Sequence, residues 1–174
     1  MLKKINRSDY DKVYTLLADS FPREERRSRE GQERLLDNPR YQIYVPGKDA
    51  DGTVSGFAAV WDFETFRYLE HFAVDPALRG GGIGSDMLKD LTERGKRRIC
   101  LEVEPPDTAM AKRRIAFYER NGFFLNPYAY MQPSLGEGRP AIPLLIMTSG
   151  SMAEEAAFCE MRDLLYRHVY QVKP

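Results

Sequence analysis

Cysteine is nearly absent. Two thiols, Cys100 and Cys159, in 174 residues give no disulfide framework. Histidine is as scarce, with His71 and His168 far apart and no metal-ligand spacing around them, so no metal site is expected. Net charge is missing: 26 Lys plus Arg balance 26 Asp plus Glu. A nucleic-acid binder ordinarily carries a basic excess, because phosphate contacts supply much of its affinity. No run approaches the roughly 18 continuous apolar residues of a membrane span. The opening M-L-K-K-I-N-R-S-D-Y lacks an apolar stretch of signal-peptide length. Repeats, low-complexity tracts and domain-dividing linkers are absent too. The expectation is a cytoplasmic protein that binds neither nucleic acid nor membrane.

What is present is a core. Apolar residues make up 43% of the chain and charged residues 30%, in a length suited to one domain. Leu2 to Asn6 reads as a short strand. Ser8 to Asp11 opens a helix whose face carries Tyr10, Val13, Leu17 and Phe21, with Pro22 breaking it. A charged surface helix is expected from about Glu24 to Leu36. Strand patterns follow at Tyr41 to Val45, closed by Pro46-Gly47, then at Thr53 to Phe63 and Phe66 to Val74. Alternation along the third puts Tyr68, Glu70, Phe72 and Val74 on one face and Leu69, His71 and Ala73 on the other.

Beyond Asp75-Pro76 a Gly-rich turn, Arg79 to Gly84, leads into a helix with Ile83, Met87, Leu88 and Leu91 on one face. Arg98 to Val103 reads as a strand, with Cys100 buried in it. Thr108 to Asn121 reads as a helix capped by Gly122. Phe123 to Met131 is strand-like around Pro127, Gln132 to Pro143 is a loop, and Leu144 to Thr148 is a last strand. Ser151 to Glu154 forms a capping box for a C-terminal helix, whose stripe is Phe158, Met161, Leu165 and Val169 and which carries Cys159. The order β-α-α-β-β-β-α-β-α-β-β-α implies a mixed α/β sheet.

The chemistry concentrates in H-F-A-V-D-P-A-L-R-G-G-G-I-G-S-D-M-L. A strand stops at proline, an arginine follows, and four glycines in five positions lead into a helix. Glycines let backbone N–H groups approach an anion closely, the helix start adds its positive end, and Arg79 adds a charged donor. A Walker A loop would need lysine before Ser85, and a dinucleotide fingerprint from Gly80 would need glycine at Ser85. The remaining pattern is R-x-x-G-x-G at Arg79, Gly82 and Gly84.

Here the sequence resembles the GNAT superfamily of acetyl-CoA-dependent N-acetyltransferases, which bind the CoA pyrophosphate on such a turn. Ala73-Val74-Asp75-Pro76-Ala77-Leu78-Arg79 fits the stretch before it. Leu101 to Glu104 followed by Phe117-Tyr118-Glu119-Arg120-Asn121-Gly122-Phe123 fits the second hallmark. The close resemblance covers residues 53 to 124. It implies a mixed, mostly antiparallel central sheet flanked by helices over residues 1–150, with an additional C-terminal helix, 151–174, packed on the same domain.

The resemblance also implies the roles. Acetyl-CoA would be the co-substrate, gripped by Gly80, Gly81, Gly82, Ile83, Gly84, Ser85 and Arg79, with backbone groups of Phe72, Ala73 and Val74 along its pantetheine. Tyr118 would protonate the departing thiolate, and Glu70 would be the general base, with His71 its rival. Many members carry Asn seven residues before the tyrosine, where this chain has Ala111. Of the basic residues after it, Arg113 or Arg114 would reach a CoA phosphate.

The acceptor, an amine of a small molecule or peptide, would be met by Phe21 to Arg27, with Glu24 or Glu25 holding its charge and Tyr128, Tyr130 and the Gln132 to Pro143 loop opposite. A CoA-binding module without catalysis is the alternative, favoured by Ala111. A nucleotide-binding use of the glycine turn is the third reading. The last strands or the C-terminal helix would be the contact surface of a homodimer.

Overall fold

A computed structural model describes residues 1–46, 53–136 and 138–174. The chain falls into two compact units, Met1–Arg97 and Arg98–Pro174.

The first unit contains β1 (Lys3–Lys4), α1 (Tyr10–Ser20), α2 (Arg29–Arg34), β2 (Tyr41–Val45), β3 (Gly56–Asp62), β4 (Phe66–Val74) and α3 (Ile83–Glu93). Strands β1 to β4 pair antiparallel in sequence order. In β3, Gly56 to Trp61 are all buried, because both faces are covered. Phe21, just past α1, packs edge-on against His71, whereas Met87 and Leu91 of α3 lie against the face carrying Gly56, Ala58 and Arg67.

Two expectations change here. The predicted helix from Glu24 to Leu36 is broken into a 3-10 turn at Arg23–Glu25, six helical residues and a second 3-10 turn at Leu35–Asp37. Ser28 restarts the helix by accepting from the Gly31 N–H at 3.1 Å, and Arg26 before it is extended. In β4 the pairing steps from His71 opposite Ala59 to Leu69 opposite Val60, so Glu70 is an extra residue, a β-bulge. The bulge inverts the alternation. Tyr68, His71 and Ala73 share the face of Trp61, while Leu69, Phe72 and Val74 take the α3 side. Glu70 joins the Trp61 face, where the indole N–H reaches it. Of the turn predicted to close β2, Gly47 lies outside the described residues.

The second unit contains β5 (Arg98–Val103), α4 (Ala109–Arg120), β6 (Phe123–Leu125), β7 (Tyr130–Gln132), β8 (Ile142–Ser149) and α5 (Glu155–Leu164), which runs on into a π-helical turn at Leu165–Val169. β8 pairs with β5 along one edge, and with β6 and β7 end to end along the other, all antiparallel. The single strand-like stretch predicted from Phe123 to Met131 is thus two strands. Between them Asn126 is buried: its Nδ2 donates to the Ile146 carbonyl (2.9 Å) and Thr148 Oγ1 (3.1 Å), and its Oδ1 accepts from Ala153 N (2.7 Å). The predicted loop shortens because Gln132 and Ile142 are strand residues; Glu137 within it lies outside the described residues.

Thr108 caps α4 through the Ala111 N–H at 3.0 Å, and Gly122 closes it at φ 78°. The capping box predicted for the last helix does not form. Ser151 Oγ accepts from Arg98 instead, and α5 begins after Glu154 without a side-chain cap. Its stripe of Phe158, Met161, Leu165 and Val169 is buried as the periodicity predicts, and the Tyr128 ring lies tilted against Phe158. Cys100 and Cys159 are free thiols.

Candidate active site

The end of β4 delivers the chain into the glycine turn through a fixed path. Asp75 N donates to the Ser55 carbonyl (2.9 Å), and Asp75 Oδ1 accepts from Ala77 N (2.8 Å), capping a 3-10 turn at Pro76–Leu78. Arg79 is exposed and extended, its Nε donating to the Val74 carbonyl at 3.3 Å. Gly80 and Gly82 stand at φ 91° and 85°, a region that only glycine enters without strain. A Cβ on either would meet nothing within 4 Å, so glycine is required there by the backbone angle, and the approach to both stays open.

Gly82 caps α3, and the first helical bond is Asp86 N to Gly82 O at 3.0 Å. The amides of Ile83, Gly84 and Ser85 therefore have no partner within the helix. Three such N–H groups at the positive end of a helix are able to donate to an anion. Leu88 and Leu91 are wholly buried, which holds the helix in place behind them.

On the bulge of β4, the Glu70 side chain is 3% exposed and both its oxygens are engaged. Oε1 accepts from Arg27 Nη1 at 2.5 Å and Oε2 from Trp61 Nε1 at 2.9 Å. Burial raises its pKa, but the Arg27 guanidinium and the two hydrogen bonds outweigh it and hold the carboxyl below its ordinary range. His71 beside it is buried, its Nε2 against the Glu25 carbonyl (2.9 Å), and burial keeps it neutral by pushing its pKa down.

In the second unit, Tyr118 on α4 is buried between Phe117 and Phe123. Burial pushes its phenol up to about 12, so it keeps its proton at neutral pH. On the same helix Arg113 is exposed, whereas Arg114 pairs with Glu104 at 2.8 Å. Ala111 is buried. Tyr130, with Tyr170, donates to Glu102. Among the described residues no cluster of His, Cys, Asp or Glu could hold a metal ion, and no helix is long and apolar enough to cross a membrane.

Sequence reasoning missed Arg27 as the partner of Glu70, and Trp61 as its second donor. Their only signal is the position of Trp61 in a neighbouring strand; for Arg27, one arginine among several, there is none.

The model of the Acetyltransferase (GNAT) family matches residues 10–123. A solved structure from Bacteroides thetaiotaomicron, assigned to the same family, is similar with a TM-score of 0.90 at 40% identity, covering 99% of each chain. YjbC of Bacillus subtilis (strain 168), an acetyltransferase by assignment, is 27% identical over 163 residues, 92% of this chain and 82% of its own. A Bacillus subtilis acetyltransferase in complex with CoA shares the fold, with a TM-score of 0.61 at 14% identity over 87% of this chain and 98% of its own.

The chain belongs to the GNAT acetyltransferase family. Its fold is that family's mixed, mostly antiparallel sheet with flanking helices, completed by a C-terminal helix.

Proposed function

We propose that the protein is an N-acetyltransferase of the cytoplasm that moves the acetyl group of acetyl-CoA to a primary amine of a small molecule or peptide. The domain would be residues 1–150, with 151–174 its C-terminal helix. The observation that carries this reading is the pair of left-handed glycines, Gly80 and Gly82, at the start of α3. Bound acetyl-CoA supplies a thioester; the amine nitrogen gains the acyl carbon and the C–S bond breaks. Of the two protons that an ammonium loses, one leaves through Glu70 to solvent and the other replaces the proton that Tyr118 gives to the sulfur.

The chain's part is to bind and to handle that proton. The N–H groups of Ile83, Gly84 and Ser85, with Arg79, are the donors for the pyrophosphate, and Gly80 to Gly82 let it approach. The backbone of Phe72, Ala73 and Val74 offers hydrogen bonds to the pantetheine amides. Arg113, exposed on α4, is the cation for a further phosphate. Tyr118, kept protonated by burial, donates to the leaving sulfur. Glu70 receives the proton of the ammonium once Arg27 has released it.

Calorimetric titration with acetyl-CoA, with ATP as control, tests the binding half. Micromolar binding of acetyl-CoA alone supports it; no binding returns the turn to a structural connection. An amine-panel acetylation assay tests the transfer half. Glu70, with both oxygens occupied, favours a second reading as a silent CoA-binding module, and absence of turnover with intact CoA binding would select it.

A further inference from the structure

Glu70 and His71, adjacent on β4, are both covered by the stretch between α1 and α2. Three residues of that stretch make the cover. The Phe21 ring meets His71 edge-on at 4.7 Å, the Glu25 carbonyl faces His71 Nε2 at 2.9 Å, and Arg27 Nη1 reaches Glu70 Oε1 at 2.5 Å. The ion pair is enclosed, its side chains 12% and 3% exposed.

The place is rich in acceptors. With Nε2 donating to Glu25, His71 Nδ1 is a bare lone pair. It is buried, has no hydrogen-bond partner among the described residues, and lies 3.8 Å from Glu70 Oε2. Gln32 Oε1 is buried and unpartnered as well, while its Nε2 donates to Tyr41 Oη at 2.7 Å. Tyr41 in turn packs edge-on against Trp61 at 5.3 Å. A carboxylate with the spare His71 Nδ1 beside it and the Trp61 indole against it suits a cation bearing several N–H donors. Arg27 is such a cation, and it follows the extended Arg26 in a stretch that belongs to no helix or strand.

We propose that Glu70 and His71 form the recognition site for the acceptor's positive charge, and that Arg27 fills it in the free protein as an internal stand-in. An ammonium or guanidinium ligand enters by exchange with Arg27. This rests on the N-acetyltransferase reading, whose acceptor it specifies as a cationic amine. Exchange of one cation for another keeps the buried carboxylate paired, which avoids the large cost of an unpaired buried charge. A neutral or anionic ligand has no such route. Departure of Arg27 also removes one of the three contacts that hold the Phe21 to Ser28 stretch on β4, and takes from Glu70 its guanidinium partner.

The chain's single tryptophan is Trp61, which donates to Glu70 at 2.9 Å, so its fluorescence reads the site directly. Methylguanidinium and ethylammonium chlorides are titrated against wild type, Arg27→Ala, Arg27→Gln and Glu70→Gln. Tetramethylammonium chloride, a cation without N–H groups, and sodium chloride at matched ionic strength are the controls. The expected result is a saturable emission change, with affinity in the Arg27 variants about tenfold above wild type, as for a site open about a tenth of the time. Glu70→Gln should not respond. Arg27→Gln keeps a donor for Glu70 and decides the matter where Arg27→Ala does not fold. Equal affinity in wild type and the Arg27 variants, a response surviving in Glu70→Gln, or the same response to either control salt overturns the proposal. Acetyl-CoA binding, measured separately by calorimetry, tells failure of the transferase reading from failure of this one.

Discussion

The backbone of Ala73 passes so close to Gly56 that a Cβ on Gly56 would stand 2.8 Å from the Ala73 carbonyl oxygen, with Met87 Sδ at 3.1 Å and Val74 Cα at 3.4 Å. Backbone cannot yield as a side-chain tip can. Gly56→Ala should therefore force β3 and β4 apart at the end that feeds the glycine turn, costing about 1–3 kcal/mol. Urea unfolding would show the loss, and weaker acetyl-CoA binding in the same variant would show that the strand end positions the turn.

Gly80 and Gly82 present the opposite case, since an added Cβ has free space but the wrong φ. Gly82→Ala should cost about 1–2 kcal/mol through the left-handed backbone alone. Gly81 does not have a positive φ and would make only an ordinary 3.6 Å contact with the Leu78 oxygen. Gly81→Ala should accordingly be the milder change in both melting temperature and acetyl-CoA affinity. Equal effects at 81 and 82 would deny the backbone angle its role.

Glu70 and His71 both titrate below their ordinary values. For each, the unfolded chain binds more protons than the folded one between the two pKa values, so stability rises with pH through both windows. His71 contributes the upper one, below about 6.5, and Glu70 the lower one, below about 4.3. The melting temperature should fall as pH drops below neutrality, first through the histidine window and then through the carboxylate window. His71→Phe should remove the upper part of that slope, which melting curves across the pH range would reveal.

Asn126 makes three buried hydrogen bonds that tie β8 to the approach of α5. Asn126→Ala leaves the buried Ala153 N–H without its acceptor, at about 1–3 kcal/mol, while the Ile146 carbonyl keeps the Asn126 backbone N–H and Thr148 Oγ1 keeps the Ser151 carbonyl. Denaturant unfolding should place it among the most damaging single changes in the second unit. Hydrogen exchange at Ala153 should quicken.

Tyr118→Phe keeps the packing against Phe117 and Phe123 and deletes only the hydroxyl. If the phenol protonates the sulfur, turnover should fall by about 10²-fold or more while acetyl-CoA affinity holds. Because the phenol ionises only near 12, no loss of activity between pH 7 and 10 should trace to it. An unchanged rate would assign Tyr118 to packing.

The sequence by itself determined the elements whose pattern is local. Phe66–Val74 and Arg98–Val103 are strands at the expected residues, α3 follows the glycine turn, and Thr108 and Gly122 bound α4 as read. Glycine spacing also marked the turn before α3, because left-handed backbone demands glycine wherever the chain folds. Tertiary structure decided what depends on partners distant in the chain. The capping box at Ser151 lost to Arg98, and the charged helix after Pro22 broke where Ser28 and Arg27 found partners. Alternation along β4 could not foresee the bulge, since an extra residue is defined only against the strand it faces. For the same reason Glu70 was legible as a carboxylate on that strand but not as one already held by Arg27 and Trp61. Hydrogen bonds and ion pairs between residues 43 and 9 positions apart form only after the chain has brought them together.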